Sequence, residues 1–314
     1  MMKGKMMRGL AVALALVLVG TATVAAQKKP LVGLVMKSLA NDYFKAMEEG
    51  ARTFAAKDGS FLLVSVGMNS ETDMDTQINA MDNFIAQKLD LIVIAPADSV
   101  GMIPSIKKAI KAGIKVVNID VKLDTAALKS AGLPEDFLFV GPDNSLGTEM
   151  VGTALAKKLG KGGKVVILEG NPGADNATQR TNGFKKAIAS GGLVLLDSKT
   201  AHWETEEANT VLTNLLTKYP ETQGVMCDND SMVLGAVKAI EAAGKTGQIQ
   251  VVGFDNIPAV QDLIKKGAVL ATVDQFGPQQ AQFGIQAGLK LLKGQKVSGW
   301  LKTDVKVVDA AALQ

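Results

Sequence analysis

Two stretches decide the fold: Lys115-Val-Val-Asn-Ile-Asp120 and Gln250-Val-Val-Gly-Phe-Asp255. Each is a short apolar run that closes on a carboxylate, and the two lie in different halves of the chain. Near-continuous apolar runs of this length read as strands buried on both faces, the kind that fill a parallel sheet covered by helices. In such a sheet ligands collect outside the carboxyl ends of the strands. One carboxylate per half therefore points to a ligand held between two lobes. Each carboxylate can accept hydrogen bonds from two neighbouring hydroxyls, so the chemistry points to a sugar or polyol.

The same alternation extends outward from both stretches. In the first half, strands are expected at Leu31–Met36, Phe61–Val66, Leu91–Ala95 and Lys115–Ile119, then at Phe137–Val140. Segments with apolar residues at helical spacing separate the first four, near 42–57, 73–87 and 100–111. The second half repeats the pattern, with strands at Lys164–Glu169, Leu193–Ser198, Gln223–Cys227, Ile249–Phe254 and Leu270–Val273. Helical segments are expected near 146–159, 176–189, 205–216, 231–242 and 278–292, and the chain closes on a strand at 304–308. The expected fold class is α/β, one doubly wound parallel-sheet architecture used twice. No long Pro- or Gly-rich linker separates the halves, so the chain must cross between the lobes more than once.

The N-terminus carries an export signal. Lys3, Lys5 and Arg8 form a basic n-region, Gly9–Gly20 an apolar h-region, and Val24-Ala-Ala26 a small-residue cleavage site. The apolar run is too short to span a bilayer comfortably, and no cysteine near the cleavage site offers a lipid anchor. Residues 1–26 are thus expected to be a cleaved signal peptide, with the mature protein exported. The whole chain has 34 basic and 31 acidic residues, and losing Lys3, Lys5 and Arg8 leaves 31 of each. A near-neutral mature protein lacks the electrostatic footprint of a nucleic-acid binder. One cysteine, Cys227, and one histidine, His202, leave no internal disulfide and no Cys/His zinc site.

Polar residues recur where strands end and helices begin. Lys37 and Asn41 follow the first strand, with Tyr43 and Phe44 beside them; Asp120 follows the fourth. Arg180 lies beyond Gly170-Asn-Pro-Gly173, Asn229 follows the strand ending at Cys227, and Asp255 and Gln275 follow later strands. Any one of these residues is also open to reading as a helix cap or turn former, and for Asp42, Asp73 and Ser231 capping is the better reading. Recurrence across both halves favours a shared site. Arg180 supplies a planar fork of donors that keeps its charge; a surface salt bridge is its alternative role. With only two tryptophans, two tyrosines and ten phenylalanines in the chain, aromatics near these loops are informative. Tyr43, Phe44 and Trp203 can pack against the C–H face of a sugar ring, with core packing the alternative for Phe44.

Other chemistries fit poorly. Gly160-Lys-Gly-Gly-Lys164 runs from helix into strand, the reverse of a phosphate-binding loop, and lacks the following Ser/Thr. His202 has no evident nucleophile partner. Asp120 and Asp255 as a hydrolase pair would require one acid kept protonated, whereas Arg180 nearby would favour both ionised. No catalytic residue, metal or cofactor is expected.

At these residues the chain resembles the periplasmic sugar-binding proteins of ABC transporters, the type I ribose/allose/galactose group. The resemblance covers about 29–308. It is carried by Met36-Lys-Ser-Leu-Ala-Asn-Asp-Tyr-Phe44, Val117-Asn-Ile-Asp120, Gly183-Phe184 after Arg180, Cys227-Asp-Asn-Asp230, Val251-Val-Gly-Phe-Asp255 and Ala271-Thr-Val-Asp-Gln275. It implies that Asn41, Asp120, Arg180, Asn229, Asp255 and Gln275 bond sugar hydroxyls and that Tyr43, Phe44 and Trp203 stack on the ring. Lys37 is similar to the lysine of the allose branch. Val121 departs from the relatives, where ribose binders carry arginine and allose binders glutamate; a valine there removes one expected hydroxyl contact.

The resemblance also implies lobes at residues 27–142 with 276–303 and 143–275 with 304–314, joined by a multi-strand hinge in the periplasmic binding protein-like I manner. It implies a monomer that binds a small sugar or polyol, docks on an ABC permease in the membrane, and is open to engaging a chemoreceptor. A nucleic-acid-binding role, as in regulators that share the fold, is excluded by the export signal in place of DNA-binding helices.

Overall fold

The computed structural model describes residues 28–314, and the expected signal peptide lies outside them. Among these residues twelve strands and ten α-helices alternate, save that the last two strands are consecutive. In order they are β1 (Leu31–Ser38), α1 (Asp42–Asp58), β2 (Leu62–Met68), α2 (Met74–Ala86), β3 (Leu91–Ile94), α3 (Ile103–Lys111), β4 (Lys115–Ile119), α4 (Thr125–Ser130), β5 (Phe139–Pro142) and α5 (Asn144–Leu159). They continue with β6 (Lys164–Glu169), α6 (Asp175–Gly191), β7 (Val194–Thr200), α7 (Thr205–Lys218), β8 (Gly224–Cys227), α8 (Asp230–Ala242), β9 (Gln250–Val252) and α9 (Pro258–Lys265). The last are β10 (Ala271–Asp274), α10 (Gly277–Leu292), β11 (Trp300–Thr303) and β12 (Lys306–Asp309). No helix among the described residues is long and apolar enough to cross a membrane.

The strands form two six-stranded sheets of the same order, β2-β1-β3-β4-β5-β11 and β7-β6-β8-β9-β10-β12. Every pairing is parallel except β12 against β10. The order reverses direction beside β1 in the first sheet and β6 in the second, the topological switch point at which such sheets bind ligands. Apolar side chains cover both faces of each sheet. In the first, Met81, Phe84 and Ile106 of α2 and α3 meet Ile92 and Ile94 on one side, while Met47 of α1 and Ile285 of α10 pack with Val93 and Val117 on the other. In the second, Val151, Leu155 and Phe184 of α5 and α6 close over Ile167 and Met226.

The chain passes from one sheet to the other at three places: between β5 and α5, between β10 and α10, and between β11 and β12. These crossings put α10 on the first sheet although it follows a strand of the second. Three elements were not anticipated from sequence: α4, α9 and β11. Their runs are short, six, eight and four residues, too brief for helical or strand periodicity to declare itself. Two caps were misplaced, by one residue and by two. Asn41 and not Asp42 caps α1, and Asn229 and not Ser231 caps α8; Asp73 caps α2 as expected.

The packing of α10 rests on Gly284, where an added Cβ would lie 2.7 Å from Ile119 Cγ2 and 3.0 Å from Val93 Cγ1. Gly284→Ala gains at most about 1 kcal/mol of helix propensity, against about 1–3 kcal/mol for overpacking. Packing wins: the variant is expected to unfold at lower urea than the parent, and an increased midpoint would contradict this seating of α10.

Candidate functional site

Asp120 and Asp255 occupy equivalent places, each just past the fourth strand of its sheet in the order given above. Each donates its backbone N–H to the neighbouring strand, Asp120 to Val140 O at 3.1 Å and Asp255 to Val273 O at 2.7 Å. Each also has positive φ, 64° for Asp120 and 128° for Asp255. Non-glycine residues held in this region are strained and persist only where surroundings over-determine them. His202 (48°), Trp203 (73°) and Phe276 (55°) share the condition at the same edge, so strain concentrates where the sheets' carboxyl ends face one another.

All ten residues singled out from sequence line one cleft between the sheets. From the first lobe come Lys37, Asn41, Tyr43, Phe44 and Asp120; from the second, Arg180, Trp203, Asn229 and Asp255, with Gln275 at a crossing. Every one is buried. Two further lining residues, Glu71 and Asn176, were not anticipated. Glu71 follows β2 just as Asn41 follows β1 and Lys37 closes it, so its place at a strand's carboxyl end was the available signal.

On the first lobe, Lys37 Nζ lies 2.8 Å from Glu71 Oε2, with both side chains almost wholly buried. Asn41 turns its Oδ1 to the Tyr43 N–H at 3.0 Å and donates through Nδ2 to Glu71 Oε1 at 3.1 Å. The Lys37 ammonium sits 5.4 Å from the Phe44 ring and 5.3 Å from the Trp203 ring of the other lobe, within cation–π range of both. On the second lobe, Arg180 donates from Nε to Asn144 Oδ1 at 2.8 Å and from Nη1 to the Asp228 carbonyl at 2.9 Å. That aims its fork, and Nη1 stands 3.7 Å from Asp255 Oδ1. Gln275 Nε2 donates to the same Asp255 oxygen at 2.7 Å. Asn229 caps α8 through Oδ1 and donates from Nδ2 to Trp203 O at 3.3 Å, which holds the indole over the space.

Several buried polar atoms here have no hydrogen-bond partner among the described residues: Asp120 Oδ2, Asn176 Oδ1 and Trp203 Nε1. A buried polar group left so costs roughly 1–3 kcal/mol. An acceptor carboxylate, an acceptor amide and an indole donor around one small space are the complement of a polyhydroxylated molecule.

Three expectations change. Val121 does not line the space; it packs in the hydrophobic cluster with Ile119 and Val140. Asn118 bonds the Val121 carbonyl at 2.7 Å and the Leu123 N–H at 3.0 Å, folding the chain after Asp120 so that Val121 turns inward to the core. Second, Asp120 is not wholly free for ligand, because Tyr43 Oη donates to Oδ1 at 3.3 Å and takes up one of that oxygen's two acceptor sites. Third, the two aspartates are not simply held ionised by Arg180. Burial pushes Asp255 well above the ordinary carboxylate range, with Arg180 opposing, and pushes Asp120 up against Lys37 and Arg180.

The lobes also bond to one another directly. Ser99 N–H donates to Gly173 O and Asp175 N–H to Ser99 Oγ, both at 2.9 Å, and Glu71 N–H donates to Glu204 Oε1 at 2.9 Å. His202 is held to Glu207 at 2.8 Å and does not line the space. Cys227 is buried at the end of β8, where burial pushes its thiol pKa well up.

Residues 32–296 match the periplasmic binding protein domain family. The D-ribose/D-allose-binding protein of Pseudomonas aeruginosa is 46% identical over 290 residues, 90% of each chain. The solved structure of an ABC transporter periplasmic solute-binding protein from Actinobacillus succinogenes with bound D-allose is 38% identical, with a TM-score of 0.85, over 91% of this chain and 99% of that one. An ABC transporter solute-binding protein from Burkholderia multivorans, with an unknown ligand built as α-D-erythrofuranose, is 44% identical with a TM-score of 0.86, over 90% of this chain and 99% of that one.

Beneath Arg180, Asp228 accepts from Gly170 N–H and Thr181 Oγ1, both at 3.0 Å. Burial nonetheless raises its pKa from 3.8 to about 7, against the pull of Gly170, Arg180 and Thr181. Between about pH 4 and 7 the folded protein holds a proton that the unfolded chain has released, so this group's contribution to stability falls as pH rises through that window. Asp228→Asn is expected to flatten the decline of the unfolding midpoint across that range relative to the parent, as read by thermal melts; an unchanged slope would contradict the protonated assignment.

Proposed function

The chain belongs to the periplasmic binding protein family, and from that membership we propose that it captures a neutral monosaccharide or polyol between its two lobes and delivers it to the membrane permease of an ABC importer. The family's relatives are ligand-binding transport proteins, which removes the hydrolase alternative, and the family places the chain in the periplasm. Cleavage after Ala26, a monomeric state and engagement of a chemoreceptor belong to the same reading. Its lobes are 27–142 with 276–303 and 143–275 with 304–314, a division supported by the three crossings between the sheets.

The observation that carries the proposal is the set of unpartnered polar atoms around one buried space drawn from both lobes. Asp120, Asn41 and Lys37 form one jaw, Arg180, Asn229 and Asp255 the other, with Gln275 at the hinge. Tyr43, Phe44 and Trp203 supply the apolar surface. A ligand that meets both jaws stabilises the closed form, because only that form presents both sets of contacts at once. The permease then distinguishes the closed complex from the open protein, and its ATPase drives import.

Thermal shift and calorimetry against D-ribose, D-allose, myo-inositol and a set of amino acids test the proposal. A sugar or polyol is expected to raise the unfolding midpoint by mass action. Stabilisation by an amino acid alone would overturn the sugar reading.

Closure has its own test at Gly173, which lies outside the lining. A Cβ there would come within 2.0 Å of Asp98 Oδ2 on the opposite lobe, and Asp98 is anchored through Oδ1 to the Val100 and Gly101 N–H groups at 2.8 and 2.6 Å. Gly173→Val is expected to leave the stability of the ligand-free protein within about 0.5 kcal/mol yet weaken sugar binding about tenfold or more by calorimetry. Unchanged affinity would mean that the Asp98–Gly173 contact is no part of the bound state.

A further inference from the structure

Helix α7 begins without a side-chain cap of its own. Glu204 stands at its N-cap position with extended backbone, φ −97° and ψ 136°, yet its carboxylate makes no bond to the helix. Such a position usually holds serine, threonine, aspartate or asparagine, whose short side chain folds back on the first N–H groups. The Glu204 carboxylate reaches across to the other lobe instead, where Oε1 accepts the backbone N–H of Glu71 at 2.9 Å. The two residues before it, His202 and Trp203, both have positive φ, 48° and 73°. Strain of that kind persists only where the surroundings hold it.

Glu71 is a node of the first lobe. Its own carboxylate takes the Lys37 ammonium at 2.8 Å and the Asn41 amide at 3.1 Å. The same ammonium lies 5.3 Å from the Trp203 ring. Two consecutive residues of the second lobe, Trp203 and Glu204, thus grip one buried ion pair of the first. The ring meets the cation, and the carboxylate meets the backbone N–H of the anion. Glu204 is itself half-buried and does not line the cleft. Of the lobe-to-lobe bonds named above, this one alone has a carboxylate acceptor, and bonds to an ionised partner are roughly twice as strong as neutral ones.

We propose that Glu204 is the latch of the closed form: it ties the lobes together through the Glu71 N–H without touching the captured solute, and so sets how long any solute is held. The inference rests on the reading of the cleft as a two-lobed sugar trap. The bond exists only when the lobes meet, so it shifts the balance from open to closed and slows opening. A solute enters the open form, where the bond is absent, and its rate of entry is independent of Glu204. Because the solute is no part of the bond, losing it multiplies the escape rate of every solute by one common factor. Loss of a residue that contacts a hydroxyl would instead act differently on different solutes.

The test is stopped-flow measurement of association and dissociation of D-ribose, D-allose and myo-inositol, with the full mature chain and with Glu204→Ser. Serine is too short to reach Glu71 but is a favourable N-cap for α7, so retention and local helix stability are pushed in opposite directions. The variant is expected to release each solute that binds about tenfold faster, the size of one hydrogen bond to a charged group, and to take it up within about twofold of the parent rate. Without ligand it should unfold at or above the parent's midpoint. Glu204→Gln, which keeps an acceptor at the same reach, should recover most of the parent's retention. Release that is unchanged in Glu204→Ser, faster for one solute and not another, or accompanied by a lower ligand-free midpoint would overturn the latch and leave the sugar reading standing. If the parent binds none of the three, nor any other sugar or polyol, both fall together.

Discussion

The burial of charge between two lobes is the constraint on which the rest of the molecule depends. Lys37, Glu71, Asp120, Arg180, Asp228 and Asp255 are all nearly solvent-free; burying an ionised group costs several kcal/mol unless partners repay it, and burial accordingly raises the pKa of Asp120, Asp228 and Asp255. Some repayment comes from inside each lobe: Lys37 has Glu71, and Arg180 has Asn144 and the Asp228 carbonyl. The rest is missing. Among the described residues, Asp120 keeps an unpaired oxygen, and Asp255 has Gln275 within hydrogen-bond distance and Arg180 farther off. A closed protein with these groups unpaired is expensive, and a molecule bearing several hydroxyls removes the expense. Ligand capture and closure are then one event with one cause.

The fold makes this arrangement cheap to specify. A doubly wound sheet directs every strand-to-helix loop of a lobe to one edge, so polar residues scattered across about 240 positions converge without any being neighbours in sequence. Using the same strand order twice sets Asp120 opposite its counterpart Asp255, each pinned by its backbone N–H to the adjacent strand and each at positive φ. Three crossings let the lobes move against one another while holding them in register, and Gln275 and Phe276 sit in one of them. Strain at Trp203 and Phe276 is therefore placed where a hinged molecule must keep its geometry rather than relax it.

Much of this was legible in the sequence, and the misses have physical reasons. Near-continuous strands such as Lys115–Ile119 announced a parallel sheet, and their repetition announced two. Residues at strand ends, Asp120, Asp255 and Gln275 among them, were readable as a converging set because the fold class fixes where strand ends go. Glu71 was hidden in Asn69-Ser-Glu-Thr-Asp73, where each residue also suits a turn and Asp73 does cap the next helix. Asn41 and Asn229 show the opposite difficulty: each caps a helix with one amide atom and lines the space with the rest, and composition cannot reveal a residue with two duties. Val121 misled because adjacency in sequence to Asp120 was taken for adjacency in the site, whereas the Asn118 side chain folds that residue into the core. Gln280 carries no sequence signal at all; only the return of α10 to the first sheet brings it beneath Tyr43.

The most direct test of the central claim is the shape of the protein in solution with and without sugar. Small-angle X-ray scattering should give a smaller radius of gyration when the sugar that best raises the unfolding midpoint is present at saturation, because the buried cluster is stable only with its hydroxyl partners in place. Identical scattering profiles from ligand-free and saturated protein, with binding established by calorimetry, would contradict the account, since closure would then owe nothing to the ligand.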